Sequence, residues 1–375
     1  MTAAPTRPRA GVRVVIALDS FKGSITASDA VAALAEGSRS AMPDGEIVRR
    51  PMADGGEGTL AAFAAAVDGA ECVPVTVRGP AGTPVEAAWL RLPDGTGVVE
   101  LASTSGIELL GDERRPEDAD TFGFGQAVVA ALDAGVTRLA LGIGSSASTD
   151  GGAGLLTALG ARLLDGSGAP IAPGARGLAQ VAEVDLSALR ALPAGGVVVL
   201  SDVTNPLLGP SGAAAVFGPQ KGLDAEGVVR AESALARFAA LTGVDVDPRT
   251  PGAGAAGGTG IALRLWGAQL RRGAAEVADL IGLRSAVRGA DLVVTGEGAY
   301  DGQSAAGKVP SFVVGVAAEA GVPVALVAGR IAPEADVAPF AASVSLTDLA
   351  GSPARAMADP ARWLRVAAAE LAARF

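Results

Sequence analysis

The 375-residue chain carries 40 acidic and 30 basic side chains, a net charge of −10, which argues against nucleic acid or an anionic membrane as partner. Its hydrophobic fraction of 49% provides for a sizeable core, yet aromatics reach only 3%, so that core must be built from Ala, Val and Leu, as in helices packed closely on a parallel sheet. Histidine is absent, which removes Ser-His-Asp and zinc-hydrolase chemistry and leaves proton transfer to a carboxylate, a lysine, a tyrosine or water.

The opening MTAAPTRPRAG has Pro and Arg but no apolar h-region, and reads as a short disordered lead rather than a signal peptide. Residues 12–18, VRVVIAL, are short, apolar and β-branched: a buried strand. After the loop DSFKG, Thr26 with Asp29 three residues on resembles a capping box and opens a helix through about Ser38. A second strand near IVRRPM leads through ADGGEGT into a helix from Leu60, the βαβ rhythm of a parallel sheet.

From about Cys72 the texture changes. VPVTVRGPAG, VEAAWLRLPDG and GVVELAST alternate between Gly-Pro or Asp-Gly turns, which predicts antiparallel strands. Cys72 is the single cysteine, which excludes an internal disulfide and suits a reducing compartment, so the expected location is the cytoplasm. Helical spacing returns at 123–134, then the strand RLALGIG and a glycine loop. GGVVVLSDV (195–203) is a further buried strand, and PGAGAAGGTG (251–260) a flexible stretch ahead of the helix IALRLWGAQL. The opening rhythm returns with DLVVTGEG as strand and loop, a helix from about Pro310, the strand VPVALVAG, and a terminal helix ARWLRVAAAELAARF. No apolar run approaches a membrane span, and no internal repeat is visible. Two α/β domains are expected: a discontinuous Rossmann-like parallel-sheet domain from both chain ends (1–66 and 288–375), and an inserted α/β domain with some antiparallel strands (67–287). A small-molecule site is expected in the cleft between them.

Three lysines, Lys22, Lys221 and Lys308, survive among the 30 basic residues, each in a glycine-bearing segment. Chance explains isolated surface lysines, but a compact ammonium also follows a moving phosphoryl group better than a rigid guanidinium fork. The loop GIGSSASTDGGAG (142–154) combines glycines with Ser145, Ser146, Ser148 and Thr149, and Asp150 is placed to cap the following helix. On glycine count a tight turn and an anion cradle are equally supported, and the four hydroxyls tilt the reading to the cradle. GQSAAGKV (302–309) matches a Walker A loop until Val309 replaces the hydroxyl that would hold magnesium, so a true P-loop is not expected. Asp19, Asp54 with Glu57, Asp202, and Glu297 with Asp301 each follow a predicted strand directly, where open parallel sheets line their ligand crevice. Singly such carboxylates are turn formers or caps. Together, beside lysines, they suit magnesium-dependent phosphoryl transfer. In SDVTNPLLGP, Asp202 is either an Asx-turn former or a base or metal ligand.

Six collinear segments then resemble the bacterial glycerate kinase family: IALDSFKGS, PMADGGEGT, GIGSSASTDGGAG, SDVTNPLLGP with FGPQKG, PGAGAAGG, and GEGAYDGQSAAGK. The resemblance implies two α/β domains and ATP-dependent phosphorylation of D-glycerate, at the 2-hydroxyl in this branch, with the 3-hydroxyl or a related hydroxy acid as the alternative. The implied partners are D-glycerate, ATP and Mg2+, without nucleic acid or membrane; a homodimer is left open. Asp202 would be the base and Asp54 the second choice, with Lys22, Lys221 and Lys308 neutralising developing charge. Substrate or phosphate would meet Asp19, Ser20, Gly55, Gly56, Gly142, Gly144, Ser145, Ser146, Ser148, Asp150, Asn205, Lys221 and Lys308, and Glu297 or Asp301 would help hold magnesium. Against the family pattern, Ser145 replaces a glycine, Ser148 a threonine, Thr149 an asparagine, Ser201 a cysteine, and Ala299-Tyr300 an arginine-leucine pair. These departures bear on substrate preference more than on reaction type.

Overall fold

A computed structural model describes residues 11–243, 247–301 and 309–375. Most of the expected N-terminal lead, Lys308 and all of the Walker-like segment except Val309 lie outside the described residues. The strands run in chain order β1 (Arg13–Leu18), β2 (Glu46–Arg49), β3 (Glu71–Arg78), β4 (Pro84–Arg91), β5 (Thr96–Glu100), β6 (Arg138–Gly142), β7 (Arg162–Asp165), β8 (Val181–Asp185), β9 (Val197–Leu200), β10 (Gln269–Arg271), β11 (Leu292–Tyr300), β12 (Val324–Ile331) and β13 (Ala342–Ser345). Two compact units divide them. The first holds the described residues up to Asp54, with Ala61–Asp68 and Ala274–Phe375; the second holds Gly55–Leu60 and Gly69–Gly273.

In the first unit five parallel strands follow the order β13-β12-β11-β1-β2. Val15, Ile16, Ala17 and Leu18 are wholly buried, as a fully covered parallel strand requires. The Thr26 cap forms as expected: its hydroxyl oxygen accepts from the Asp29 amide at 3.1 Å, and the helix it opens spans Ala27–Ala41. That helix crosses the terminal helix Pro360–Ala372 so closely that a Cβ on Gly37 would stand 2.6 Å from the Arg365 carbonyl. A core of alanines and valines with few aromatics permits this spacing. Where DLVVTGEG was expected to end in a loop, β11 continues through Tyr300, pairing Glu297 with Ala328 of β12.

In the second unit six strands follow β10-β9-β6-β5-β4-β3. β3–β4 and β4–β5 are antiparallel, as their turns predict, whereas β5, β6, β9 and β10 run parallel. β7 and β8 form a separate antiparallel pair. Trp89, Phe124 and Phe238, at most 1% exposed, anchor the core with Leu139 and Leu141. Each such aliphatic side chain contributes about 1.5–3 kcal/mol on burial. The helix expected over IALRLWGAQL stops at Trp266, where Gly267 turns left-handed (φ 100°), and Gln269–Arg271 becomes β10. The glycine stretch before it is buried rather than flexible: Ala253, Ala255, Gly257 and Gly258 are all covered.

Candidate active site

In the first unit the chain leaves β1 towards β2 on one side, and leaves β11 towards β12 and β13 on the other. The strand order therefore reverses between β1 and β11, the place where open α/β sheets bind ligands beyond their strand C-termini. Asp19, Ser20 and Lys22 follow β1 there, and Glu297 and Asp301 lie at the end of β11. Leu18 pairs with Gly296, and a Cβ on Gly298 would stand 3.1 Å from the Lys22 amide nitrogen, so these two strand ends are neighbours. The Asp19 carboxylate accepts from the Ser20 amide at 2.7 Å, Lys22 is exposed on a tight turn, and Glu297 is 7% exposed. Asp54 is exposed at the last position of its stretch.

In the second unit the C-terminal ends of β5, β6 and β9 present Glu100, the 142–154 loop and Asp202 along one sheet edge. Asp202 is exposed, and its Oδ1 accepts from the Gly273 amide at 3.1 Å. Asn205 donates to the Ser211 carbonyl at 2.8 Å and accepts at its own carbonyl from Gly254, closing the loop that follows β9.

Several expected binding residues prove to be internal to the protein. The Gly144 amide donates to the Gly55 carbonyl at 2.9 Å, so it is committed to protein rather than to an anion. A Cβ on Gly144 would stand 2.5 Å from Gly56 Cα, one on Gly142 2.9 Å from the Gly55 oxygen, and one on Gly55 2.1 Å from the Leu200 carbonyl. Gly55, Gly56, Gly142 and Gly144 thus let two loops lie backbone against backbone. Asp150, wholly buried, accepts from Ser148 Oγ and the Gly152 amide on one oxygen, and from the Thr121 amide, Thr121 Oγ1 and the Gly154 amide on the other. Five protein donors engage the carboxylate, so Asp150 ties the loop together. Ser146 and Ser148 also turn inward, at 6% and 0% exposure. The hydroxyl count that favoured an anion cradle therefore overstates the donors on offer.

Ser145 is the exception. It is exposed and left-handed (φ 58°), a conformation that costs a residue with a side chain about 1–2 kcal/mol. Its carbonyl is pinned by the Ile107 amide at 2.8 Å, and its own amide and hydroxyl have no partner among the described residues. The glycine that the resemblance implies at this position would take this backbone without strain.

Lys221 lies under the loop, 2% exposed, its Nζ donating to Ser146 Oγ at 2.7 Å and to the Ser148 carbonyl. Burial pushes its pKa down to about 7, with the nearby Asp150 pulling it back up. Two buried acids escaped the sequence reading. Glu100 accepts from the amides of Gly58 and Leu60 at 3.2 and 2.9 Å, filling the N-terminus of the helix Thr59–Ala66. Burial raises its pKa, against those amide bonds. Asp120 is raised to about 6, by burial first and then by Asp150, although Arg78 pairs with it at 2.5 Å. Glu100 is the last residue of β5, close to the strand-end signal that marked Asp19 and Asp202.

The sequence profile of the glycerate kinase family matches residues 14–375. The chain belongs to that family. It is accordingly a kinase enzyme. It is 43% identical over 327 residues to the glycerate kinase of Bacillus subtilis strain 168, covering 85% of each chain. It is 41% identical over 333 residues to the glycerate 2-kinase of Escherichia coli K12, covering 87% of each. A crystal structure of a candidate glycerate kinase 2 from Salmonella typhimurium LT2 superposes with a TM-score of 0.85 at 40% identity, over 97% of this chain and 98% of that one. The glycerate kinase fold, mixed α/β with one parallel and one mixed sheet, is thus shared across nearly the whole length.

Proposed function

We propose that this glycerate kinase phosphorylates D-glycerate at its 2-hydroxyl with ATP, giving 2-phosphoglycerate and ADP. The observation that carries the reading is the gathering of Lys22, Asp19 and Glu297 at the point of strand-order reversal in a chain 41% identical to a glycerate 2-kinase. The reaction needs groups from both units, and the cleft between domains expected from the sequence belongs to this proposal. Asp202 accepts the hydroxyl proton, with Asp54 as second choice. Lys22 and Lys308 offset charge on the γ-phosphoryl group as it transfers. The Ser145 amide and hydroxyl meet a phosphate or the glycerate carboxylate.

Among the described residues no three Asp, Glu, His or Cys side chains converge into a metal cage. Magnesium held mainly by phosphates and water takes only one or two carboxylates, and Glu297 and Asp301 fit that requirement. When bound, the ion supplies charge stabilisation to the transferring phosphoryl group. A reducing, cytoplasmic setting is part of the proposal, supported by the exposed, unpaired Cys72.

Release of ADP with D-glycerate, compared across a panel of small hydroxy acids, tests the substrate. Lys22→Arg keeps the charge but replaces the compact ammonium. Turnover is expected to fall on the order of 10²–10³, the scale of losing one electrostatic contact in the transition state. Near-normal turnover in the folded variant, or a stronger response to another hydroxy acid, contradicts the proposal.

A further inference from the structure

Lys221 was expected to offset phosphate charge, but its surroundings point elsewhere. The ammonium is covered on one side by the 146–149 segment and on another by the turn at Gly257, where a Cβ would stand 3.0 Å from Nζ. That turn is itself unusual. Ala256, Gly257 and Gly258 are left-handed in succession, with φ of 53°, 67° and 92°, and Ala256 has a side chain to strain. The Gly151 amide donates to the Gly257 carbonyl at 3.0 Å, locking the two loops together. One buried lysine Nζ therefore sits where two strained backbones cross, and Ser146 Oγ and the Ser148 carbonyl, which accept from it, lie just after the strained Ser145. Strained residues persist only where their surroundings over-determine them.

We infer that Lys221 is a positioning residue: its ammonium fixes the 145–149 loop so that the left-handed Ser145 presents its amide and hydroxyl to the anionic ligand, without itself touching that ligand. The inference rests on the reading of this loop as the anion contact, and it separates Lys221 from Lys22 and Lys308. A lysine that offsets transition-state charge acts on kcat. One that only shapes a binding loop acts on the affinity of the ligand held there.

Lys221→Met keeps the length of the side chain and removes its donors. Hydrogen exchange of the 145–149 amides, measured without ligand and independent of any turnover, is expected to quicken at least tenfold; an unchanged rate overturns the inference even if the enzyme proves to act on another acid. In steady state, KM for D-glycerate or for ATP is expected to rise at least tenfold with kcat within threefold. A hundredfold fall in kcat at constant KM assigns Lys221 to the reacting group and overturns it too. Should the variant not fold, the wild type decides. With three lysines in the chain, nitrogen-15 labelling gives three side-chain signals, assigned with Lys22→Arg and Lys308→Arg. Adding D-glycerate and a magnesium-bound, non-hydrolysable ATP analogue should move the Lys22 and Lys308 signals and leave that of Lys221 in place. A comparable shift of the Lys221 signal refutes the inference, and silence of all three refutes the reading of the site beneath it.

Discussion

Gly55→Ala separates packing from phosphate binding as the reason for glycine in the ADGGEGT loop. Gly55 has φ +95°, and a Cβ built there meets the Leu200 carbonyl oxygen at 2.1 Å and its carbon at 2.7 Å. Left-handed backbone costs a side-chain-bearing residue about 1–2 kcal/mol. Relieving the overlap adds about 1–3 kcal/mol, because the opposing atoms are backbone at the end of β9 and have little room to retreat. The sum, about 2–5 kcal/mol, corresponds to a fall of roughly 6–15 °C in the midpoint of a unit of this size. Gly58, three residues on in the same loop, is the control: φ is +87°, but nothing lies within 4 Å of its Cβ position. Gly58→Ala pays only the backbone cost of about 1–2 kcal/mol, roughly 3–6 °C. Fluorescence of the buried Trp89 and Trp266 reports the second unit in a Trp363→Phe background, with both variants melted without ligand. Equal midpoints for the two variants refute the packing account and return Gly55 to the ligand-binding set.

Ser145→Gly removes the strain at φ 58° and is expected to stabilise the second unit by about 1 kcal/mol, read as a rise of roughly 2–4 °C; an unchanged or lower midpoint refutes it. Lys221 makes stability depend on pH in a direction fixed by its lowered pKa. The unfolded lysine keeps its proton to 10.5 and the buried one gives it up at about 7, so the unfolded chain binds more protons across that window and stability rises with pH there. The full shift corresponds to about 5 kcal/mol, of which about 2 kcal/mol falls between pH 7 and 9. Denaturant titrations of wild type and Lys221→Met should show that slope only in the wild type; parallel pH profiles contradict it.

The elements easiest to read were those whose signal is local. β1 and β9 are short β-branched runs that bury on both faces, and Thr26 caps its helix through an oxygen three residues from the amide it accepts. The strand ends proposed to carry the site were legible, because a carboxylate at the end of a buried strand marks a sheet edge: Asp19 follows β1, Asp202 lies two residues past β9, and Glu100 closes β5. What stayed hidden depends on partners distant in the chain. Gly55 meets Gly144, and Lys221 meets Ser146, across separations no local periodicity records. The direction of a loop hydroxyl likewise depends on the group packed beneath it, so Ser146 and Ser148 read as ligand donors until Lys221 and Asp150 are seen to engage them. β10 was taken for the tail of a helix because the left-handed Gly267 that ends the helix also reads as an ordinary helical glycine.

The central claim, transfer of a phosphoryl group to the 2-hydroxyl of D-glycerate, is tested most directly by coupling the enzyme with ATP, magnesium and D-glycerate to enolase, leaving out any phosphoglycerate mutase. Phosphoenolpyruvate should form at once and in step with ADP. ADP release that yields phosphoenolpyruvate only after a mutase is added marks the 3-phosphate and contradicts the claim.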